Sequence, residues 1–173
     1  MTGSRCTQGG AESEGPVSLG LDIGAVNAKV AVVGGTGKLI LLATERVGRG
    51  PAEAAAALLE RVRATVPPER IVAGGVCGSG RQLYDRRPGW QAFSSPYAAI
   101  AGVLNRHPDA RTIVQIGGQS AFVVGLEGGL DRPWRVARSP LCAAGTGRFL
   151  EQQAYRLGIP IEEFGARALE WTQ

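Results

Sequence analysis

Two glycine turns in the sequence have the residue types of a phosphate site. Asp22 and Gly24 end the apolar run that begins at residue 17. A buried carboxylate is costly unless it meets a cation or hydrogen-bond donors, and a glycine lets backbone N–H groups approach phosphate oxygens. The first turn therefore indicates a phosphate loop in which Asp22 faces magnesium. An ordinary hairpin with a solvated aspartate is the alternative.

The stretch 111–129 repeats this arrangement. It reads as a buried strand, the turn Gly117-Gly118, then Gln119 and a second strand. Neither turn is a P-loop, because the spacing G-x-x-x-x-G-K-[ST] does not occur in the chain. The pattern instead indicates a weak duplication, strand–turn–strand–turn–strand–helix, that begins near residue 17 and again near residue 111.

A third candidate is Cys142, which precedes the turn Gly145-Thr146-Gly147. Its residue type allows a nucleophile, a buried filler or a metal ligand. The following helix would favour a thiolate through its free N–H groups and dipole. The cysteines are Cys6, Cys77 and Cys142, an odd number at wide spacing in a chain without an export signal. This pattern argues against a disulfide framework and predicts a cytoplasmic location.

The elements that position these residues follow from periodicity, glycine and proline. Pro51 opens an alanine-rich helix that Pro67 stops, and Ser95 is expected to cap a second helix. We predict strands over 17–24, 28–34, 39–47, 70–78 and 134–139, a strand pair within 111–129, and helices over 51–66, 95–107, 146–157 and 160–171.

Composition narrows the function classes. The formal net charge of +4 comes from scattered arginines, with only Lys29 and Lys38 as lysines, so no basic stripe indicates nucleic-acid binding. No run reaches the roughly 18 to 20 apolar residues of a membrane helix. We therefore expect neither a nucleic-acid nor a membrane partner. Residues 1–16 read as a disordered leader.

The motifs together resemble one family of ATPases. The matching stretches are Asp22-Ile23-Gly24 with Lys29, and 78–81, 109–119 and 142–151. From about residue 17 onward the chain is similar to the ATP-dependent activators of 2-hydroxyacyl-CoA dehydratases and to benzoyl-CoA reductase ATPase subunits, the BadF/BadG/BcrA/BcrD-type family. Its members belong to the actin-like ATPase superfamily. The stretch "CAAGTGRFLE" is the most specific match.

The resemblance implies a fold and a set of cofactors. The fold would be α/β, an actin-like (ribonuclease H-like) lobe over 17–108 with a mixed sheet and flanking helices, and an incomplete second lobe over 109–173. Family members are homodimers that share one [4Fe–4S] cluster, use ATP hydrolysis, and pass a low-potential electron to a dehydratase or reductase. Cys142 would be a cluster ligand, and Asp22 would hold magnesium through water. The implied ATP/ADP-binding residues are Asp22, Gly24, Ala25, Asn27, Lys29, Gly117, Gly118 and Gln119.

The chain departs from the family pattern at four positions. Gln115 and Ser120 replace acids of the second turn, and Ala25 and Val26 replace small hydroxyl residues of the first. Because an amide or hydroxyl does not supply a carboxylate's charge, we expect slow or absent ATP hydrolysis. The alternative functions are a catalytically impaired regulatory or scaffold member, or a fragment of a longer protein. A sugar kinase of the same superfamily is also open, although "CAAGTGRFLE" argues against it.

Overall fold

The computed structural model describes residues 15–127, 134–139 and 146–170. The chain forms two compact units, Met1–Ala110 and Arg111–Gln173. Cys6, Cys142 and most of the predicted leader lie outside the described residues. None of the described helices is long and apolar enough to cross a membrane.

The first unit is built on a five-stranded mixed sheet with the order β3-β2-β1-β4-β5. Strands β1 to β3 form antiparallel hairpins, whereas β4 and β5 run parallel to β1. The strand bounds are β1 Val17–Ile23, β2 Asn27–Gly34, β3 Leu39–Arg46, β4 Ile71–Cys77 and β5 Trp90–Ala92. The helix bounds are α1 Pro51–Thr65 and α2 Ser95–Arg106.

One face of this sheet packs against α1. Period-2 alternation buries every second residue of β1, and the matching stripe on α1 recurs at helical spacing. The largest fully buried side chains there are Leu21, Ile23, Val30, Leu58 and Val62. Each contributes roughly 1.5–3 kcal/mol by leaving water. The opposite face carries Gly20 and Asp22, and this second face becomes the candidate site.

The second unit contains a three-stranded antiparallel sheet, β6-β7-β8, and two helices. Its core includes Ile113, Phe122, Val124 and Leu126. The bounds are β6 Thr112–Ile116, β7 Ala121–Gly125, β8 Arg135–Arg138, α3 Gly147–Arg156 and α4 Ile161–Leu169. Thus the duplication predicted from the sequence is confirmed as two glycine-turn hairpins, each followed by a third strand.

Most predicted elements are confirmed within a few residues, and two details differ. The cap of α2 is Ser94, not Ser95: the Ser94 hydroxyl accepts a hydrogen bond from the Tyr97 N–H at 3.3 Å. With the chain extended at Ser94 and helical from Ser95, only the earlier serine has the backbone conformation of a cap. The sequence did not predict β5, a short strand that exists through its pairing with β4.

Candidate functional site

The β1–β2 hairpin brings an acid and a lysine together. Asp22 and Lys29 are directly paired across the two strands, and Lys29 Nζ lies 3.2 Å from Asp22 Oδ2. Both side chains are partly exposed, so each of them can leave the other and bind a ligand instead. The turn closes through the Gly24 N–H, which donates to the Asn27 carbonyl at 3.1 Å. A Cβ at Gly24 would lie 2.7 Å from that carbonyl oxygen, which explains the glycine.

The segment that follows β4 lies beside this hairpin and binds it through hydrogen bonds. We call residues 78–81, Gly-Ser-Gly-Arg, the first clasp. The Gly80 N–H donates to the Ile23 carbonyl at 2.9 Å, and the Ser79 hydroxyl donates to the same oxygen at 3.5 Å. Gly78 has a φ of +90°, and a Cβ there would lie 2.4 Å from the Ile23 carbonyl oxygen and 2.7 Å from Asp22 Oδ1. Only glycine fits this position.

Cys77, the last residue of β4, is paired with Asp22 in the parallel register. Burial raises the pKa of its thiol to about 12, helped by the negative charge of Asp22 and a hydrogen bond with that carboxylate, while Lys29 acts in the opposite direction. The thiol is therefore protonated at neutral pH. Since thiolate is the nucleophilic and metal-binding form, Cys77 is suited to donate a hydrogen bond.

A cavity of about 280 Å³ opens on this face of the sheet. Asp22, Lys29 and Cys77 are among its lining residues, although the surface that the cavity exposes is almost entirely apolar. Its remaining lining is small or apolar and consists of Gly20, Leu21, Val30, Ala31, Leu42, Gly75, Val76, Phe93 and Ala98. The paired glycines of β1 and β4, Gly20 and Gly75, leave room on the sheet surface because neither carries a side chain.

The second hairpin repeats the turn geometry of the first. The Gly117 N–H donates to the Ser120 carbonyl at 2.8 Å, the same three-residue separation as between Gly24 and Asn27. The residue pair that corresponds to Asp22 and Lys29 is Gln115 and Phe122. The second hairpin therefore keeps the backbone of the first but has no charge pair at this position.

The start of α3 binds the second turn through three hydrogen bonds. The Thr146 hydroxyl and the Arg148 N–H each donate to the Gly118 carbonyl at 3.0 Å, and the Gly147 N–H donates to the Gly117 carbonyl at 2.9 Å. Thr146 is fully buried. We call residues 146–148 the second clasp. With Gly145 they repeat the Gly-[Ser/Thr]-Gly-Arg of residues 78–81, a signal in the sequence that could have revealed both clasps.

The predicted residues fall into two groups, one in each unit. Asp22, Gly24, Ala25, Asn27 and Lys29 lie together on the β1–β2 hairpin. The turn of the second unit holds Gly117, Gly118 and Gln119, and Gln119 lines a groove along α3. Cys142 lies outside the described residues. Among the described residues, no group of three or more His, Cys, Asp or Glu side chains could hold a metal ion.

Known dehydratase activators are similar to this chain. No protein-family model matches the chain. It is 30% identical to the 2-hydroxyisocaproyl-CoA dehydratase activator of Clostridioides difficile over 151 residues, which cover 86% of this chain and 55% of the activator. The activator of 2-hydroxyisocaproyl-CoA dehydratase from Clostridium difficile, solved with bound ADPNP, superposes with a TM-score of 0.75 at 27% identity, covering 91% of this chain and 58% of that one.

The chain is similar to the dehydratase activators in both sequence and fold. Component A of (R)-2-hydroxyglutaryl-CoA dehydratase from Acidaminococcus fermentans has the same fold, with a TM-score of 0.76 at 24% identity over 91% of this chain and 60% of that one. The actin-like ATPase fold predicted from the sequence is confirmed by these structures. The chain spans about 55% of the length of the curated activator that it matches.

Proposed function

We propose that this protein binds ATP or ADP with Mg²⁺ and is an iron–sulfur activator that delivers low-potential electrons to a 2-hydroxyacyl-CoA dehydratase or a benzoyl-CoA reductase-type partner. The observation that carries the proposal is the repeated hairpin, turn and clasp in a chain that is similar to the dehydratase activators. We further propose that it works as a homodimer in the cytoplasm.

The residues of the first hairpin fit magnesium and phosphate. Mg²⁺ prefers oxygen ligands and keeps several of its waters, and Asp22 offers a partly exposed carboxylate at the edge of the cavity. Lys29 supplies a cation next to it for phosphate oxygens. Gly24 leaves the backbone accessible, as a phosphate turn requires. In this proposal Asp22 orients the hydrated ion, and Lys29 turns from the carboxylate towards the nucleotide.

The second hairpin is suited to binding and poorly suited to hydrolysis. Gln115 and Ser120 supply an amide and a hydroxyl where the family pattern has acids. Neither can act as a carboxylate base for the attacking water at neutral pH. This observation favours, as a second candidate function, a catalytically impaired regulatory or scaffold member of the family.

The cluster part of the proposal depends on Cys142. Cys77 is a poorer candidate for the cluster, because it is partly buried at the end of β4 and lies beside Asp22. A bound [4Fe–4S] cluster would supply one-electron chemistry at low potential. Such a cluster takes four thiolates, whereas two copies of this chain supply only two Cys142 residues. We therefore expect that the 173-residue chain alone holds no stable cluster.

Calorimetric titration with Mg·ADP tests the nucleotide part. We expect binding by the wild-type chain, a loss of about tenfold or more in Lys29→Ala, since a charged hydrogen bond is lost, and unchanged affinity in Lys38→Ala. Lys38 is a matched control because it is the only other lysine and follows the far end of β2. A folded wild-type chain that gives no heat with either nucleotide would refute the proposal.

Anaerobic reconstitution tests the cluster part. Iron analysis and visible absorption should show at most a labile cluster that is lost in Cys142→Ser and unaffected by Cys6→Ser, the matched thiol control. A four-iron cluster that persists in Cys142→Ser would contradict the assignment of Cys142.

A further inference from the structure

Cys77 has no role in the function proposed above, although it lies at the site. It is the final residue of β4, and the parallel register places it opposite Asp22 on β1. Both residues line the same cavity, and the register places the Cys77 thiol beside the Asp22 carboxylate on one face of the sheet. The thiol therefore lies next to the one acid that the first hairpin offers to a metal ion.

The other neighbours of Asp22 constrain it incompletely. Lys29 approaches Oδ2 at 3.2 Å, but this lysine is about half exposed, and an exposed ion pair holds its geometry weakly. Gly78 lies against Oδ1, with a hypothetical Cβ at 2.7 Å, and offers no side chain to bond with. A donor fixed on a sheet strand would hold the carboxylate in place even after Lys29 has turned to a ligand.

We propose that Cys77 is a positioning residue: its S–H donates to the Asp22 carboxylate and holds that carboxylate in the orientation that receives hydrated magnesium with the nucleotide. This inference rests on the proposed nucleotide function. The proposal implies that the thiol affects nucleotide affinity only when magnesium is bound. The phosphates themselves would contact the turn and Lys29 rather than Asp22. The sequence alone does not reveal this role, since residues 22 and 77 meet only through the β1–β4 pairing.

The first experiment separates positioning from general support of the fold. ADP is titrated into the full chain with Mg²⁺ and again with EDTA. Because an S–H group is a weak donor, we expect Cys77→Ala to weaken binding about five- to tenfold with Mg²⁺ and to leave the affinity in EDTA unchanged. Cys77→Ser, which keeps a donor, should stay within about twofold of the wild type.

Ser18→Ala is the matched control. Ser18 is exposed and lies four residues before Asp22, on the same face of β1. Its removal should change neither titration. Equal losses with Mg²⁺ and with EDTA in Cys77→Ala, or no loss in either titration, would overturn the proposal.

The second experiment does not depend on nucleotide binding. The infrared S–H stretching band of Cys77 is assigned by its disappearance in Cys77→Ser. In Asp22→Asn this band should move to the higher frequency of a more weakly bonded thiol, because the charged acceptor is gone. A band that does not move overturns the inference. If the wild-type chain binds no ADP while the band does move, the proposed function fails and the Cys77–Asp22 contact stands.

Discussion

The two glycine-turn hairpins have the same backbone and different chemistry. In both, a glycine N–H donates to the carbonyl of the third residue along, and a Gly-[Ser/Thr]-Gly-Arg segment follows in the sequence to clamp the turn. At the paired strand positions before and after the turn, the first hairpin has Asp22 and Lys29, whereas the second has Gln115 and Phe122. Turn geometry and charge are thus specified by separate residues.

The turns also differ in how strictly they require glycine. A Cβ at Gly24 would lie 2.7 Å from the Asn27 carbonyl oxygen, whereas a Cβ at Gly117 would lie 3.1 Å from the Ser120 carbonyl oxygen. The first distance is forbidden and the second is only tight. Although the second hairpin has Gln115 and Ser120 in place of acids, its turn keeps nearly the same geometry as the first.

Gly78→Ala should have the largest effect, because it breaks the first clasp. The new methyl group would collide with the Ile23 carbonyl at 2.4 Å in a backbone conformation that disfavours alanine. We expect the free energy of unfolding in urea to fall by about 3 kcal/mol or more. Gly89→Ala isolates the conformational part, because Gly89 has a φ of +79° with open space around it. It should cost about 1 kcal/mol. If Gly78→Ala and Gly89→Ala lowered the free energy of unfolding equally, the steric role of Gly78 in the clasp would be contradicted.

Gln115→Asp combined with Ser120→Asp should convert the second hairpin to the acidic pattern. Since a positioned general base contributes on the order of a hundredfold or more, we expect ATP hydrolysis to rise at least about tenfold. Phosphate release under single-turnover conditions measures it. Gln91→Asp, at an exposed position on β5 and outside both hairpins in the sequence, adds one negative charge and should change nothing. Brisk hydrolysis by the unmodified chain would refute the argument.

Thr146→Val should cost more than Ser79→Ala, because the two clasps use their hydroxyls differently. The Thr146 hydroxyl is fully buried and donates at 3.0 Å, whereas the Ser79 hydroxyl donates at 3.5 Å from a partly exposed position. We expect losses of about 1–1.5 kcal/mol and about 0.5 kcal/mol in the free energy of unfolding. Thr65→Val, at an exposed site on α1, is the control. The reverse order would show that burial and hydrogen-bond distance do not decide how much each hydroxyl contributes.

The smallest expected effect is a pH dependence from Cys77. Its pKa is raised to about 12 in the folded chain, so the folded state keeps the proton while the unfolded thiol ionises near pH 8.5 to 9. The stability that the protonated Cys77 thiol contributes is therefore complete below pH 8.5, and it falls as the pH rises towards 12. After discounting for solvent screening, the loss by pH 10 should be at most about 1 kcal/mol relative to Cys77→Ser. Parallel urea curves for both proteins between pH 8 and 10 would contradict it.

Local patterns predicted most of the helices and strands, whereas β5 and the role of Cys77 depend on long-range strand pairing. Gly24 and Gly117 lie between alternating apolar runs, and Pro51 and Pro67 flank α1. These elements are therefore specified by residues that are close in the sequence. In contrast, β5 is a three-residue strand held by its partner, and the role of Cys77 requires a register between residues 55 positions apart. No periodicity within either segment contains that information.

The second clasp also fixes the direction of the peptide groups in its turn. No peptide bond between described residues is cis, and a trans peptide unit points its C=O and its N–H in opposite directions. The carbonyls of Gly117 and Gly118 are both directed at the start of α3. The N–H groups of the next residues, Gly118 and Gln119, must therefore point away from that helix. Two adjacent amide dipoles aimed outwards form a concave positive pole, which needs no side-chain charge to attract an anion.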